Sequence, residues 1–205
     1  MKLTWLGHSC FKIESHGYQI VLDPYRDEKV PGCRPIREQA NLVLCSHNHD
    51  DHCASECVAL CPGAPSPFVI ESIATWHDDR QGALRGPNTI HILDDGQCRI
   101  AHLGDLGCDL TPEQKERLHG LSALLIPIGG HFTIDASQAK QLADELDPTV
   151  VIPMHYRSDH FGYDVIGTLE QFTRLCSNVV YYPGAELELT GQTGKQTAIL
   201  KPQNA

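Results

Sequence analysis

Ser46-His-Asn-His-Asp-Asp-His52 is the stretch that decides how this chain folds. It reads HxHxDH from His47, and it follows the apolar run Leu42-Val43-Leu44-Cys45 directly. Imidazoles and a carboxylate this dense are not a packing pattern. A strand that presents clustered His and Asp at its C-terminal end is presenting metal ligands. Residues two apart in an extended segment face the same way, so His47 and His49 can close on one ion. The turn that follows redirects Asp51 and His52 towards a second ion beside it. A polar loop with a chance surplus of histidine is the bland alternative, and the density of the motif disfavours it.

Outward from this motif, β-like and helical patterns alternate without a long linker, an internal repeat or a low-complexity segment. Residues 3–6, 10–13 and 18–22 read as strands, the last two joined by the turn Ser15-His-Gly17. Residues 41–45 form an almost continuous apolar run, as a strand buried on both faces should. A helix is expected over 54–60, stopped by Pro62-Gly63. Strands are expected at 68–71, 89–93 and 97–102, the last two paired about Asp94-Asp-Gly96. Thr111-Pro112-Glu113-Gln114 opens a helix with Thr as N-cap, Pro at the first helical position and Gln closing a capping box. Asp135-Ala-Ser-Gln138 opens another that runs to 146. Strands at 124–128, 149–153, 179–182 and 197–200, with a helix over 168–175, complete the pattern. Two packed sheets with helices outside, in a single domain spanning 1–205, satisfy it.

Composition narrows the function classes. At 205 residues, with 41% apolar and 20% charged, the chain can bury a sizeable core and is not disordered. No apolar run approaches the roughly 20 residues needed to cross a bilayer. Met1-Lys-Leu-Thr-Trp5 enters a strand pattern without the apolar stretch of a signal peptide, which gives a cytoplasmic expectation. A net charge of −10 repels the phosphate backbone and argues against nucleic acid as the main partner. Bound divalent cations would offset that charge locally, so a small anionic substrate fits. Nine cysteines without a CxxC pair favour free thiols over a disulfide framework.

The remaining ligands of a two-metal site should lie at strand ends, where rigid elements hold side chains in place. Three positions qualify: His77 in Ala-Thr-Trp-His-Asp-Asp, Asp105 in His-Leu-Gly-Asp-Leu-Gly, and His155 in Val-Ile-Pro-Met-His-Tyr. With these in order after HxHxDH, the chain resembles the metallo-β-lactamase superfamily, and within it the compact hydrolases that include the L-ascorbate 6-phosphate lactonase-like proteins. The resemblance takes in Trp5-Leu-Gly-His-Ser-Cys10, Leu22-Asp-Pro-Tyr25, Trp76-His-Asp-Asp79, Arg85-Gly-Pro-Asn-Thr89, Pro127-Ile-Gly-Gly130, Phe132-Thr-Ile-Asp135 and Pro153-Met-His-Tyr156.

This resemblance implies an α/β fold, a four-layer αββα sandwich with metals in a cleft at one edge of the sheets. It also implies that His47, His49 and His77 hold one ion, that Asp51, His52 and His155 hold a second, and that Asp105 bridges them. Asp23 would orient ligands by hydrogen bonds. Imidazole with carboxylate suits Zn²⁺, and Mn²⁺ or Fe would also be tolerated. Two such ions can share a hydroxide that attacks a carbonyl carbon or phosphorus, with Asp51 accepting a proton. The expected activity is hydrolysis of a small anionic ester, lactone or phosphodiester.

His8 and His131, on loops after strands, are candidate acids for the leaving group. Arg85 and Arg157 are candidates for binding phosphate or carboxylate. Cys53, Cys57 and Cys61, spaced by four, would form one stripe on the expected helix; core-facing thiols explain it more simply than a third metal site or a redox sensor. Three rival readings remain. A nuclease or phosphodiesterase of nucleic acids conflicts with the acidic balance. An iron-dependent oxygen-using enzyme fits poorly, because His49 stands where such members carry a carboxylate. A metal-stabilised binding or assembly module with little turnover would hold the same ions, and the sequence leaves room for an oligomer.

Overall fold

The computed structural model describes residues 1–61, 63 and 65–205. Its strands are β1 (Lys2–Gly7), β2 (Cys10–Ser15), β3 (Tyr18–Leu22), β4 (Glu38–Ala40), β5 (Leu42–Leu44), β6 (Val58–Leu60), β7 (Val69–Trp76), β8 (Pro87–Asp94), β9 (Arg99–His102), β10 (Ala123–Pro127), β11 (Val150–Met154), β12 (Val179–Tyr181), β13 (Glu186–Glu188) and β14 (Gln196–Ile199). The helices are α1 (Pro112–Glu116), α2 (Ala136–Leu146) and α3 (Leu169–Thr173). Burial along the first strands follows the period of two. Leu3, Trp5, Phe11, Ile13, Ile20 and Leu22 face the main core, while Cys10 and Val21 face a smaller cluster with Tyr25, Val30 and Ile36.

A five-stranded sheet in the order β13-β1-β2-β3-β5 packs against a seven-stranded sheet in the order β12-β14-β11-β10-β9-β8-β7. Helix α2 lies on β10 and beside α3, burying Ala136, Ala139, Leu142, Ala143 and Leu146, a stripe at helical spacing. The outer side of the five-stranded sheet carries a β4–β6 ribbon and the loop from Tyr25 to Ile36. The α/β sandwich is therefore as expected, with ribbon and loop in place of helix on that side.

Strand direction decides where the site can form. β1, β2 and β3 are successively antiparallel and β5 is parallel to β3, so β1, β3 and β5 run the same way. Likewise β7, β9, β10 and β11 share one direction. His8, Asp23 and the HxHxDH loop follow β1, β3 and β5; His77, Asp105 and His155 follow β7, β9 and β11. Each sheet thus gathers its contribution at one end, as open α/β sheets gather ligands at their carboxyl ends.

The expected capping box forms between Thr111 and Gln114, and the expected helix at Asp135 also opens with one, Asp135 with Gln138. Four expectations need correction. No helix covers 54–60: a single 3-10 turn, Ser55–Cys57, leads into β6, which pairs in parallel with β4. Tertiary strand pairing outweighs the weak helix propensity of Cys and Val here. The cysteine stripe therefore does not exist; Cys57 packs on the smaller cluster and Cys61 is exposed. Pro62, expected to stop that helix, lies outside the described residues. Cys45 and Cys53 are joined in a disulfide, Cα to Cα 5.3 Å, while the other seven cysteines are free. Finally, β5 is an edge strand and only half-buried, not enclosed on both faces. The strands β4 and β13 were not expected. No helix among the described residues is long and apolar enough to cross a membrane.

Candidate metal centre

Three of the site residues sit in left-handed backbone: His8 (φ 53°), Asp23 (φ 45°) and His155 (φ 53°). Such conformations cost non-glycine residues energy and persist where surrounding contacts enforce them. At His8 those contacts are visible, since its carbonyl accepts from the Trp5 indole N–H at 2.9 Å and from the His155 backbone N–H at 3.4 Å.

Asp23 is fully buried and organises the HxHxDH loop. Its Oδ1 accepts the Ser46 backbone N–H at 2.6 Å, and its Oδ2 accepts both the Ser46 hydroxyl at 2.6 Å and His52 Nδ1–H at 2.8 Å. With its one proton committed to Asp23, Ser46 Oγ must accept from His47 Nδ1–H at 2.9 Å. Both histidines are thereby held with a proton on Nδ1, and each turns its Nε2 inwards. On the opposite side, Asn88 Oδ1 accepts the Asp105 backbone N–H at 2.9 Å and sets that carboxylate.

Asp105 Oδ2 lies 3.1 Å from His52 Nε2, 3.3 Å from His77 Nε2 and 3.3 Å from His155 Nε2. Yet the Nε2 atoms of His47, His52 and His155, and Oδ1 of Asp105, are buried with no hydrogen-bond partner among the described residues. Buried polar atoms left in this state are costly unless something else pairs them. Ligand atoms of His47, His49 and His77 converge, as do those of His47, His52 and Asp105, and those of His8, Asp51, His52 and His155. Imidazole nitrogens gathered on a common carboxylate at 3.1–3.3 Å are a donor set that suits a divalent cation, so the residues fit the metals implied for this fold.

Electrostatics agree except at His52. There burial is overcome by Asp105 and Asp23, which raise its pKa, so that in the metal-free protein its Nε2 holds a proton that a cation would displace. Burial lowers His47, aided by neighbouring His52, to about 3, which keeps its ring neutral. Burial and His155 bring His8 down to about 4. Burial alone would raise Asp23, but His102 and the His52 hydrogen bond prevail and hold it at about 2. His8 and His52 likewise keep Asp51 below the usual carboxylate range despite its burial.

A cavity of about 370 Å³ opens over the cluster, lined by His49, Asp51, His77, Leu84, Arg85, Asp105, Phe132, His155 and Tyr163. Arg85 belongs to it, stacked 5.6 Å from the Phe132 ring centre and donating to the His131 carbonyl at 3.0 Å. Arg157 does not; its Nε donates to the Ile166 carbonyl at 2.9 Å, away from the cavity wall. His131 is exposed and contributes its backbone rather than its ring. His8 is buried behind Asp51 and also lies off the wall. Neither histidine lines the cavity.

The beta-lactamase superfamily domain model matches residues 2–155. The chain belongs to this superfamily. A UPF0173 metal-dependent hydrolase of Thermoplasma acidophilum is 26% identical, over 89% of this chain and 93% of its own length. The solved structure of a Thermotoga maritima protein, described as a candidate Zn-dependent hydrolase of the metallo-beta-lactamase superfamily, is 30% identical with a TM-score of 0.76, covering 97% of each chain. Igni18, a metallo hydrolase of Ignicoccus hospitalis, shares the fold at 24% identity and a TM-score of 0.63, over 92% of this chain and 99% of its own. This chain is a metal-dependent hydrolase of the metallo-beta-lactamase superfamily.

Around that superfamily core the structure adds residues that the sequence did not single out. Tyr163 closes one side of the cavity, its hydroxyl 2.7 Å from the Lys29 carbonyl and 3.2 Å from Asp51 Oδ2. Nothing in its sequence neighbourhood marks it. Asp78, next to His77, accepts backbone N–H groups of Arg80, Gly82, Leu84 and Arg85 at 2.7–3.0 Å. It thereby shapes the loop that carries Leu84 and Arg85. A carboxylate before a glycine-containing loop was the available signal.

Proposed function

We propose that the chain is a two-metal hydrolase of small anionic esters, lactones or phosphodiesters. The observation that supports this best is Asp105 Oδ2, which lies within 3.1–3.3 Å of Nε2 of His52, His77 and His155 alike. In this reading His47, His49 and His77 hold one ion, Asp51, His52 and His155 the second, and Asp105 both. Zn²⁺ suits the donor set best, with Mn²⁺ or Fe tolerated. Bound ions would supply Lewis acidity and lower the pKa of water.

The protein's own part is to position and to move protons. Asp23 and Ser46 hold His52 and His47 in the ligating tautomer. Asp51, deprotonated and on the cavity wall, would be the residue placed to take up a proton from attacking water. Arg85 offers an anionic substrate group a charged donor, and Leu84, Phe132 and Tyr163 exclude water around it. A cavity of about 370 Å³ suits a small molecule, and the chain's charge of −10 disfavours a polynucleotide.

The test is metal analysis followed by a turnover screen on lactones, thioesters, phosphodiesters and cyclic nucleotides. Two equivalents of metal per chain and turnover of one class, faster for anionic members, are expected. A stable single equivalent after reconstitution would reject the two-ion reading. Full loading with no turnover of any class would favour a binding module instead.

A further inference from the structure

Resting on the two-ion reading, we infer that His8 is itself a ligand of the second ion, beside Asp51, His52 and His155. Four observations carry this. The His8 side chain is wholly inaccessible, and neither ring nitrogen has a hydrogen-bond partner among the described residues. A buried imidazole in that state needs another partner for its lone pair. Its Nε2 is 3.5 Å from Asp51 Oδ2. That is close to the ~3.4 Å that two ligand atoms at ~2.1 Å from one ion subtend at a tetrahedral angle, and long for a charge-assisted hydrogen bond. Its ring lies against both other imidazoles of that site, 4.2 Å from His155 and 5.3 Å from His52 between centres.

The backbone is also committed to this placement. His8 is held left-handed by the Trp5 indole and the His155 amide, both on its carbonyl, which swings the ring into the cluster. Gly7 before it has φ 134°, and a Cβ there would come within 3.3 Å of Cys33 Sγ and Tyr25 Oη. The segment Trp5-Leu-Gly-His8 is thus built to deliver one imidazole to a place that the cavity does not reach. An acid for a leaving group would have to face the cavity; a ligand would not. With His8 the second site becomes richer in imidazole than the HxHxDH pattern alone provides.

The test is ¹¹³Cd substitution of protein labelled with [¹⁵N]histidine, in which every ligating nitrogen shows scalar coupling to cadmium. Coupling to His8 Nε2, along with coupling to His47, His49, His77, His52 and His155, is expected. His8→Ala should remove that one coupling and weaken one ion by at least about tenfold in competition with a chelator, leaving the other ion unchanged. Couplings on the other five histidines with none on His8 would overturn the assignment while leaving two ions in place. A single ¹¹³Cd resonance would overturn the two-ion reading and this assignment with it. The wild-type measurement stands even if the variant does not fold.

Discussion

Asp23→Asn changes one atom, and the hydrogen-bond pattern says what should follow. All three groups around Asp23 are donors: the Ser46 N–H, the Ser46 hydroxyl and His52 Nδ1–H, at 2.6, 2.6 and 2.8 Å. An amide can accept on only one side, so in either orientation its N–H faces a donor. The arrangement that keeps the Ser46 amide bonded turns the Asn N–H towards Ser46 Oγ and His52 Nδ1. The hydroxyl can rotate and accept, but His52 can adapt only by moving its proton to Nε2, the atom turned on Asp105. Its lone pair is then lost to the ion. The loss of such an orienting partner costs about 10–100-fold in metal affinity, or about 1.4–2.7 kcal/mol. Competition with a chromophoric chelator at neutral pH should show that loss for one ion and little change for the other. An acid arm tests the same group. Because its folded-state pKa is about 2, below the ordinary 3.8 of an aspartate, Asp23 stabilises the metal-free fold above pH ~4, and this is lost as pH falls towards 2. The increment is on the order of 2 kcal/mol and should be missing from the acid unfolding of Asp23→Asn. A variant that binds both ions with unchanged affinity would refute the tautomer reasoning.

Three further outcomes are expected. Metal-free protein should lose thermal stability between pH 6.5 and 4, because His8 and His47 bind protons more readily unfolded than folded; the raised pKa of His52, which burial opposes and Asp105 drives, offsets part of this. A melting temperature that rises on acidification over that range contradicts the buried neutral imidazoles. Arg85→Ala should raise KM for an anionic substrate about tenfold and leave a neutral isostere nearly unchanged, whereas Arg157→Ala should do neither; equal effects of the two would remove Arg85 from substrate binding. Gly104→Ala should cost about 1–3 kcal/mol in urea unfolding, since its φ is 55° and a Cβ would sit 2.4 Å from Ser46 Cβ and 2.5 Å from Asn88 Oδ1. A neutral substitution there would mean that the Asn88–Asp105 contact is not tightly packed.

The metal cluster was legible because ligands at strand ends leave a local mark: an apolar run followed by His or Asp, as at Cys45, Trp76 and Met154. The helices with reciprocal caps at Thr111 and Asp135 were legible for a similar reason, their signals lying within four residues of one another. What escaped depends on partners distant in sequence. Residues 58–60 are extended because Glu38–Ala40 lies alongside them, and no local feature of Val-Ala-Leu announces that. Tyr163 reaches Asp51 from a loop more than a hundred residues away. The roles first suggested for His131 and Arg157 gain no support from their placement: both follow strands near the site, but neither lines the cavity.

The division of the ligands between the two sheets has a consequence for how the protein matures. His47, His49, Asp51 and His52 come from loops of the five-stranded sheet; His77, Asp105 and His155 come from the seven-stranded one. A growing chain therefore presents the whole HxHxDH cluster before its counterpart exists, because His155 follows His52 by about a hundred residues. Ion capture becomes a report on completed sheet docking rather than a nucleus for it. In the two-ion reading each cation would tie the two sheets together, and part of its binding free energy would become folding free energy.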